Sequence, residues 1–243
     1  MIREELEGVW YIILKDLRTY YFKPPNISWG ILFPLVLALA FTLRNPLGLT
    51  ELSPGLIAMS ALFGTTSMEA IVITFEKRVG ALERLMLAPI SLRTILIGKI
   101  LSGAIFGLVI AGAMTLISIS FMGTQIASPA LFIISLSLSV LALSALGALV
   151  AVSVKEVFEA QTLSNYFRFP MIFLCGVFLP VTALPLPLQV LAYLLPLTYS
   201  VDSLRQTSKG LVSLRLLLDI TALVVFLLAF LVIATRLLQK SLE

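Results

Sequence analysis

Long apolar runs alternate with short polar segments along the chain, and this pattern is typical of helices that cross a membrane several times. Each run is close to the roughly 20 residues that a transmembrane helix needs. The predicted spans are 27–43, 54–75, 100–122, 129–154, 169–184 and 211–235. We expect Arg44, Asn45 and Pro46 to end the first span. The predicted fold class is an all-α polytopic membrane protein with six transmembrane helices in a single domain, 1–243.

The segment 1–23 has a different pattern, because charged residues separate its apolar positions. Leu6, Val9 and Ile13 recur at steps of three and four, as they would on one face of a helix. The charges between them are too many for a membrane span. We therefore expect an interfacial amphipathic helix that ends at Pro24. A helix packed on a soluble partner is the alternative.

Prolines and a glycine interrupt the apolar sequence after the fourth span. They include Gly176, Pro180, Pro185 and Pro196. No straight helix survives such a density of prolines. We expect broken or re-entrant helices over 180–210, which enter the outer half of the membrane and return because protein surrounds their freed backbone groups. The polar segment 201–210 is expected to emerge outside.

Inside the predicted spans, a single acidic residue and a stripe of small residues each suggest a role. Glu69 is the one acid within an otherwise apolar run, and a carboxylate inside a membrane is costly enough to mark a candidate pathway residue. The alternative is that Glu69 lies near enough to Phe75 to reach the cytosolic interface.

In the third span, Gly103, Gly107 and Ala111 lie on one face, where small residues let two helices approach closely. Packing within the subunit is favoured over a dimer contact.

The longest polar interruption is the segment 76–99, which carries five Lys or Arg residues and two Glu residues. If the N-terminus is cytosolic, most of the 17 Lys and Arg residues lie on the cytosolic side. Only Arg44, Arg205, Lys209 and Arg215 would then lie outside. Because cytosolic loops carry an excess of Lys and Arg, both termini and the segment 76–99 are predicted to be cytosolic.

Composition agrees with a membrane location and excludes several functions. The chain is 59% hydrophobic and 12% charged, whereas soluble domains have about 25% charged residues. It has no histidine and one cysteine, Cys175, so metal binding, an internal disulfide and histidine-based catalysis are not expected. The basic residues flank apolar runs, which lipid orientation explains without a nucleic-acid partner. The acidic start, with Glu4, Glu5 and Glu7, does not look like a cleaved signal peptide.

No catalytic motif is present. The only candidate for a phosphate-binding loop is Gly98-Lys99, which has Arg93 where the first glycine should stand and Ile100 in place of Ser or Thr. An enzyme is therefore not predicted, and a transporter of this composition must take its energy from elsewhere. Within 76–99, Gly80 and Pro89 delimit a short helix with an apolar ridge of Leu82, Leu85 and Met86, which could dock into a groove on a soluble partner. The alternative is an ordinary loop that only orients the protein.

Two further motifs strengthen the docking hypothesis. The pattern E-K-R-x-G-x-L-E-R-L-x-x-x-P at 76–89 resembles the cytosolic loop of the type-two family of ATP-binding-cassette (ABC) transporter permeases. The pattern G-V-F-x-P-V-x-x-L-P at 176–185, followed by L-P-L-T-Y at 195–199, resembles the fifth helix and outer hairpin of that family. The resemblance covers nearly the whole chain.

The resemblance implies a permease subunit of the cell membrane that dimerises, with itself or with a second permease, and binds two cytosolic ATP-binding subunits. MgATP would bind to those subunits, and no cofactor to this chain. Members of the family export drugs, lipids or lipid-linked glycans. The implied ATPase-coupling residues are Glu76, Arg78, Gly80, Leu82, Glu83, Leu85 and Pro89, and the implied outer-gate residues are Gly176, Pro180, Pro185 and Pro196. A membrane scaffold without transport activity and a gradient-driven secondary transporter remain the alternatives.

Overall fold

The computed structural model describes residues 2–44 and 49–240, and within them all regular structure is helical. The ten α-helices are α1 (Ile2–Asp16), α2 (Pro24–Arg44), α3 (Leu49–Arg78), α4 (Ala81–Met86), α5 (Leu92–Met122), α6 (Pro129–Ser153), α7 (Val157–Leu174), α8 (Leu186–Tyr193), α9 (Pro196–Ser208) and α10 (Leu214–Lys240). A π-helical turn at Leu17–Tyr21 follows α1, and a 3₁₀ turn at Val181–Ala183 precedes α8. The all-α prediction is confirmed for the described residues.

In the part of the chain that the structure describes, four helices are long and apolar enough to cross a membrane: α3, α5, α6 and α10. The sequence predicts six such helices. Within the described residues, α2 offers a shorter apolar stretch at 26–37, and α7 carries the charged residues Glu159 and Arg168. The predicted end of the first span falls partly on Asn45 and Pro46, which lie outside the described residues.

Several helix boundaries differ from the predicted ones, because polar side chains do not by themselves end a helix. α3 continues through the charged residues 76–78, and α5 already begins at Leu92. The predicted polar loop 76–99 is therefore mostly helical, and its irregular part is short. Pro24 begins α2 and does not end α1, since a proline fits the first turn of a helix, where no backbone N–H is needed.

The region around the fifth predicted span differs most. α7 begins at Val157 and ends at Leu174, so the predicted bounds 169–184 are wrong. A capping box starts the helix early: the Glu156 side chain accepts from the backbone of Glu159, and the Glu159 side chain accepts from the backbone N–H of Glu156. Most of the polar segment 201–210 is not an irregular loop: it continues α9, and several of its residues are buried.

The centre of the fold is α3, which is buried along almost its whole length between the other long helices. A Cβ atom added to Gly107 of α5 would lie 2.2 Å from Thr65 Cγ2 of α3, so the two helices could not approach as closely with any larger residue. The small-residue stripe of α5 thus packs within the chain, as the sequence favoured.

Candidate coupling site and its buried ion cluster

The predicted docking helix forms where the sequence places it. Gly80 has a φ of 68°, a left-handed conformation that glycine adopts without steric cost, and it lets the chain turn from α3 into α4. α4 is one and a half turns long and ends at Met86, before Pro89. Ser91 then caps α5 by accepting a hydrogen bond of 3.2 Å from the backbone N–H of Thr94.

The apolar ridge of α4 faces the protein and not a partner. Leu82 is buried in a cluster with Ile12 of α1 and Ile95 of α5, and Leu85 and Met86 pack against the same cluster. The expectation that this ridge is free for docking is therefore wrong for Leu82, while Leu85 and Met86 remain partly exposed. The side of α4 that remains exposed carries Glu83 and Arg84, and Leu87 just after the helix is 87% exposed.

A groove of about 520 Å³ runs between α1 and the segment after α4. It is mainly apolar and is lined by Gly8, Tyr11, Ile12, Leu14, Lys15 and Arg18 of the α1 region and by Leu85, Ala88 and Ile90. The Glu5 carboxylate accepts hydrogen bonds of 3.1 and 3.3 Å from the backbone N–H of Ser91, which fastens one end of α1 to the start of α5. The groove therefore has fixed walls on both sides.

Glu76, predicted to couple the chain to a partner, is fully buried near the C-terminal end of α3. It forms an ion pair with Lys99 of α5, and Lys99 Nζ also lies 3.0 and 2.9 Å from the two carboxylate oxygens of Asp16 in α1. Lys15 Nζ lies 2.5 Å from Glu76 Oε1 and 3.1 Å from Asp16 Oδ1. Two cations and two anions therefore join α1, α3 and α5 in one cluster, in which Lys99, Asp16 and Glu76 are almost inaccessible to solvent.

The partly exposed member of this ion cluster, Lys15, binds its proton more tightly than a free lysine. Burial lowers its pKa, but the charges of Asp16 and Glu76 and the hydrogen bonds to them outweigh burial and raise the pKa to about 12. Because the pKa in the folded protein is raised, the stability that this interaction adds is fully present below pH 10.5 and is lost as the pH rises toward about 12. The cluster thus keeps the charge of Lys15 across the physiological range.

The sequence reasoning missed Asp16, Lys15 and the burial of Lys99, because it treated each charge as part of a solvated surface. One signal was present. Lys99 is followed by the apolar run of α5, and Asp16 stands three and seven positions after Ile13 and Val9, on the face that helical periodicity assigns to the apolar residues of α1. Only the packing of α1 on α5 shows that the two charges meet.

The predicted coupling residues Arg78, Gly80 and Pro89 lie fully or partly at the protein surface. Arg78 is exposed and lies 4.0 Å from Glu156, which connects the end of α3 to the start of α7. Pro89 is exposed, and Gly80 is partly exposed. In the described residues no group of three or more His, Cys, Asp or Glu side chains is arranged to hold a metal ion.

Glu69 is enclosed by protein and does not reach an interface. One carboxylate oxygen accepts a hydrogen bond from the hydroxyl of Tyr21, which follows α1, and the other has no partner among the described residues. A Cβ atom added to Gly103 would lie 2.2 Å from Glu69 Oε2, and one added to Gly147 would lie 2.8 Å from Glu69 Cβ. The two glycines therefore provide the space in which the Glu69 side chain sits.

The predicted outer-gate residues lie at the opposite end of the bundle. Gly176 has a φ of 81° and follows α7, where its carbonyl accepts a hydrogen bond of 2.9 Å from Arg205. Pro180 and Pro185 are exposed in the segment between α7 and α8, and Pro196 is buried at the start of α9. Of these residues, Pro180 lines a cavity of about 390 Å³, on whose wall Arg215 holds Asp202 at 2.6 Å.

Comparison with known proteins identifies the architecture. The sequence profile of the ABC-2 type transporter family matches residues 7–208, which include both the α4 segment and the outer hairpin. The chain belongs to the ABC-2 type transporter family. It is also 29% identical, over 188 residues, to the "Inner membrane transport permease YadH" of Escherichia coli and to the protein of the same name in Shigella flexneri. Each match covers 77% of this chain and 73% of the relative.

Family membership makes this chain the membrane subunit of an ABC transporter, which is an assembly that includes an ATP-binding subunit. Permease subunits of ABC-2 transporters are typically not catalytic. The apolar helices α3, α5, α6 and α10 agree with a membrane-embedded protein.

Proposed function

We propose that this chain is the membrane-spanning half of an ATP-driven exporter that moves a hydrophobic or amphipathic substrate outward across the cell membrane. The chain crosses the membrane six times with both termini in the cytosol, and α1 lies at the membrane interface. A separate subunit binds and hydrolyses MgATP. Two permease halves, identical or different, act with two copies of that subunit.

The distribution of charge at the two ends of the bundle supports this orientation. One end gathers Lys77, Arg78, Arg84, Arg93, Lys155, Arg236 and Lys240, which belong to the inner ends of α3, α5 and α10 and to the segments beside them. The opposite end has fewer basic residues, and there Lys209 and Arg215 lie beside the acids Glu51 and Asp202. An excess of Lys and Arg marks the cytosolic side of membrane proteins.

The observation that carries the proposal is the packing of α4 against the rest of the chain. The inner face of α4 is packed on α1 and α5, while Glu83, Arg84 and Leu87 remain exposed beside the apolar groove. A soluble partner that binds this surface would push on α1, α3 and α5 together, because the buried ion cluster ties the three helices to each other. Such a surface suits the transfer of movement from an ATP-binding subunit to the membrane helices.

Glu83→Lys tests the coupling surface, because it reverses an exposed charge and leaves the packing of α4 intact. We expect the variant to enter the membrane normally but to lose the ATP-binding subunit that co-purifies with the tagged chain from its own cells. Leu87→Asp should act in the same way. Glu51→Lys, an exposed charge reversal at the other end of the bundle, is the matched control and should keep the partner.

Substrate-stimulated ATP hydrolysis by the reconstituted complex then separates transport from anchoring. A complex that binds the ATP-binding subunit but shows neither stimulated hydrolysis nor transport into vesicles would identify a membrane scaffold. Transport that follows a proton or sodium gradient without ATP would identify a secondary transporter. Normal partner binding and activity in both Glu83→Lys and Leu87→Asp would exclude α4 as the coupling element.

A further inference from the structure

Arg168 is a buried cation in the middle of the helix bundle. Its side chain is only 4% exposed, although it belongs to α7 and the sequence suggested a place in a cytosolic loop. The guanidinium carbon lies 4.3 Å from the centre of the Phe63 ring, and Phe63 stands near the midpoint of the 30-residue helix α3. At about 1.5 Å per residue, Arg168 is therefore roughly 20 Å from either end of α3.

No carboxylate neutralises this cation in the part of the chain that the structure describes. The Nη2 atom of Arg168 donates to Asn165 Oδ1 at 2.5 Å, and the Nε atom has no hydrogen-bond partner among the described residues. The remaining contact is the face of Phe63, whose ring packs on Phe33 at a centroid distance of 4.6 Å. A buried charge normally has an opposite charge beside it, because removal from water is costly.

Other unsatisfied polar groups lie along the same seam between α3 and α7. The hydroxyls Ser67 Oγ and Ser164 Oγ are buried and have no hydrogen-bond partner within the described residues. Gln161 Oε1 is also unpartnered there, but an amide oxygen only accepts hydrogen bonds and does not bind an anion. Arg78 lies beside Glu156 and Phe63 lies beside Arg168, so α3 and α7 run in opposite directions. This register places Ser67 and Ser164 at the same level, one helical turn toward the α4 end of the bundle from Arg168.

Unsatisfied donors beside an uncompensated guanidinium are the groups that bind an anion. A guanidinium recognises carboxylate and phosphate oxygens with strong, charge-assisted hydrogen bonds, and hydroxyl groups add further donors. A ligand would reach Arg168 from the side of Asn165, because Asn165 is only partly buried. Pro170 lies inside α7 two residues after Arg168 and cannot donate a backbone hydrogen bond, so the helix is weakened next to the site.

We infer that the seam around Arg168 is a binding site for the anionic group of an amphipathic substrate, such as a carboxylate or a phosphate joined to an apolar body. The inference rests on the proposed function, since it names the chemical class of the exported molecule. The anionic group binds at Arg168 with help from Ser67 and Ser164, and the apolar part lies along the hydrophobic surface of the bundle. A neutral analogue of the same shape binds more weakly.

Binding to the full-length chain in phosphatidylcholine nanodiscs tests this site without ATP or a partner. The probes are dansyl-labelled undecanoic acid and its methyl ester, which differ in charge. We expect saturable binding of the acid that is at least about tenfold tighter than binding of the ester, as a charge-assisted hydrogen bond implies. Equal binding of acid and ester by the wild-type chain would overturn the inference, even if no variant folded.

Variants assign the binding to Arg168. Arg168→Gln should weaken binding of the acid by about tenfold or more and leave the ester unchanged, and Arg168→Lys should retain part of the affinity. Arg236→Gln, which removes an exposed arginine from α10, is the matched control and should bind like the wild type. Undiminished acid binding by a folded Arg168→Gln chain would place the anion site elsewhere and refute the inference.

Competition separates the possible sources of the anion. Displacement of the probe by lysophosphatidic acid but not by inorganic phosphate supports an amphipathic anion. Equal displacement by inorganic phosphate would show a site for free anions and contradict the amphipathic assignment. Because these measurements require no ATP-binding subunit, failure here would leave coupling through α4 intact, and failure of the Glu83→Lys test would leave the anion site intact.

Discussion

Two buried cations in this protein have opposite surroundings. Lys99 lies between the carboxylates of Asp16 and Glu76, while Arg168 contacts an amide oxygen and an aromatic ring. Both side chains are almost fully removed from solvent. Lys99 has charge partners on α1 and α3, so its role is structural: it fixes α1 to the end of the bundle that carries α4. Arg168 lacks such a partner within the described residues, which leaves its charge available to a ligand.

The two sites also differ in what surrounds the charge. Around Lys99 the hydrogen-bonding capacity is used by carboxylates from two other helices. Around Arg168 several polar atoms of α3 and α7 have no hydrogen-bond partner among the residues that the structure describes. A satisfied buried network rigidifies a structure, whereas an unsatisfied one costs stability unless something else binds there. The contrast therefore predicts that removal of the two charges changes stability to very different extents.

The largest effect is expected for Lys99→Met, which leaves two buried carboxylates close together. Loss of one partner of a buried ion pair costs about 3–5 kcal/mol, so the free energy of unfolding should fall by that amount. Denaturant titration of the purified chain in detergent, followed by circular dichroism, measures the change. The triple variant that adds Asp16→Asn and Glu76→Gln should recover a large part of the loss. Stability unchanged by Lys99→Met would show that the cluster does not hold α1 in place.

A smaller effect is expected for Tyr21→Phe, which removes the hydroxyl that donates to Glu69. A buried acceptor left without a donor costs about 1–3 kcal/mol, and the same denaturant titration detects it. Tyr11→Phe, at an exposed position of α1, is the control and should change little. A Tyr21→Phe chain as stable as the wild type would show that the Tyr21 hydroxyl is not the hydrogen-bond donor that stabilises Glu69.

Replacement of Arg168 by methionine should change stability by less than about 1 kcal/mol in either direction. The variant loses a cation–π contact but also removes a buried charge that no carboxylate compensates. It should nevertheless abolish the preference for the anionic probe over its ester. A loss of stability as large as that of Lys99→Met would show that Arg168 is a structural residue like Lys99, and the comparison between the two sites would fail.

The smallest effect is expected at an exposed ion pair. Lys209 lies 3.3 Å from Glu51 at the end of the bundle opposite α4, and both side chains are more than half exposed. Surface pairs contribute about 0–1 kcal/mol, so Lys209→Met should be nearly neutral in the denaturant titration. High salt should reduce even this difference, because exposed charges are screened. A loss comparable to that of Lys99→Met would mean that burial is not the property that distinguishes these sites.

The sequence determined the helical architecture, the membrane location and the positions of the long apolar spans. These follow from local properties: runs of apolar residues, the scarcity of charge, and glycine and proline at the ends of elements. The position of α4 between Gly80 and Pro89 was predictable for the same reason. The Gly107 stripe was recognisable as a close-packing face from the size of its residues, but only the structure shows that the helix packed on it is α3 of the same chain.

Only the tertiary structure decided which polar groups meet. Asp16 and Lys99 are 83 positions apart in the chain, and no local pattern relates them. The ridge of α4 was identified correctly as apolar, but its direction depended on α1 covering it, which the sequence of α4 does not encode. Arg168 looked like part of a polar loop until the capping box at Glu156 extended α7 and placed its guanidinium against Phe63. Periodicity defines the face of a helix, but the environment of that face depends on the helices that pack against it.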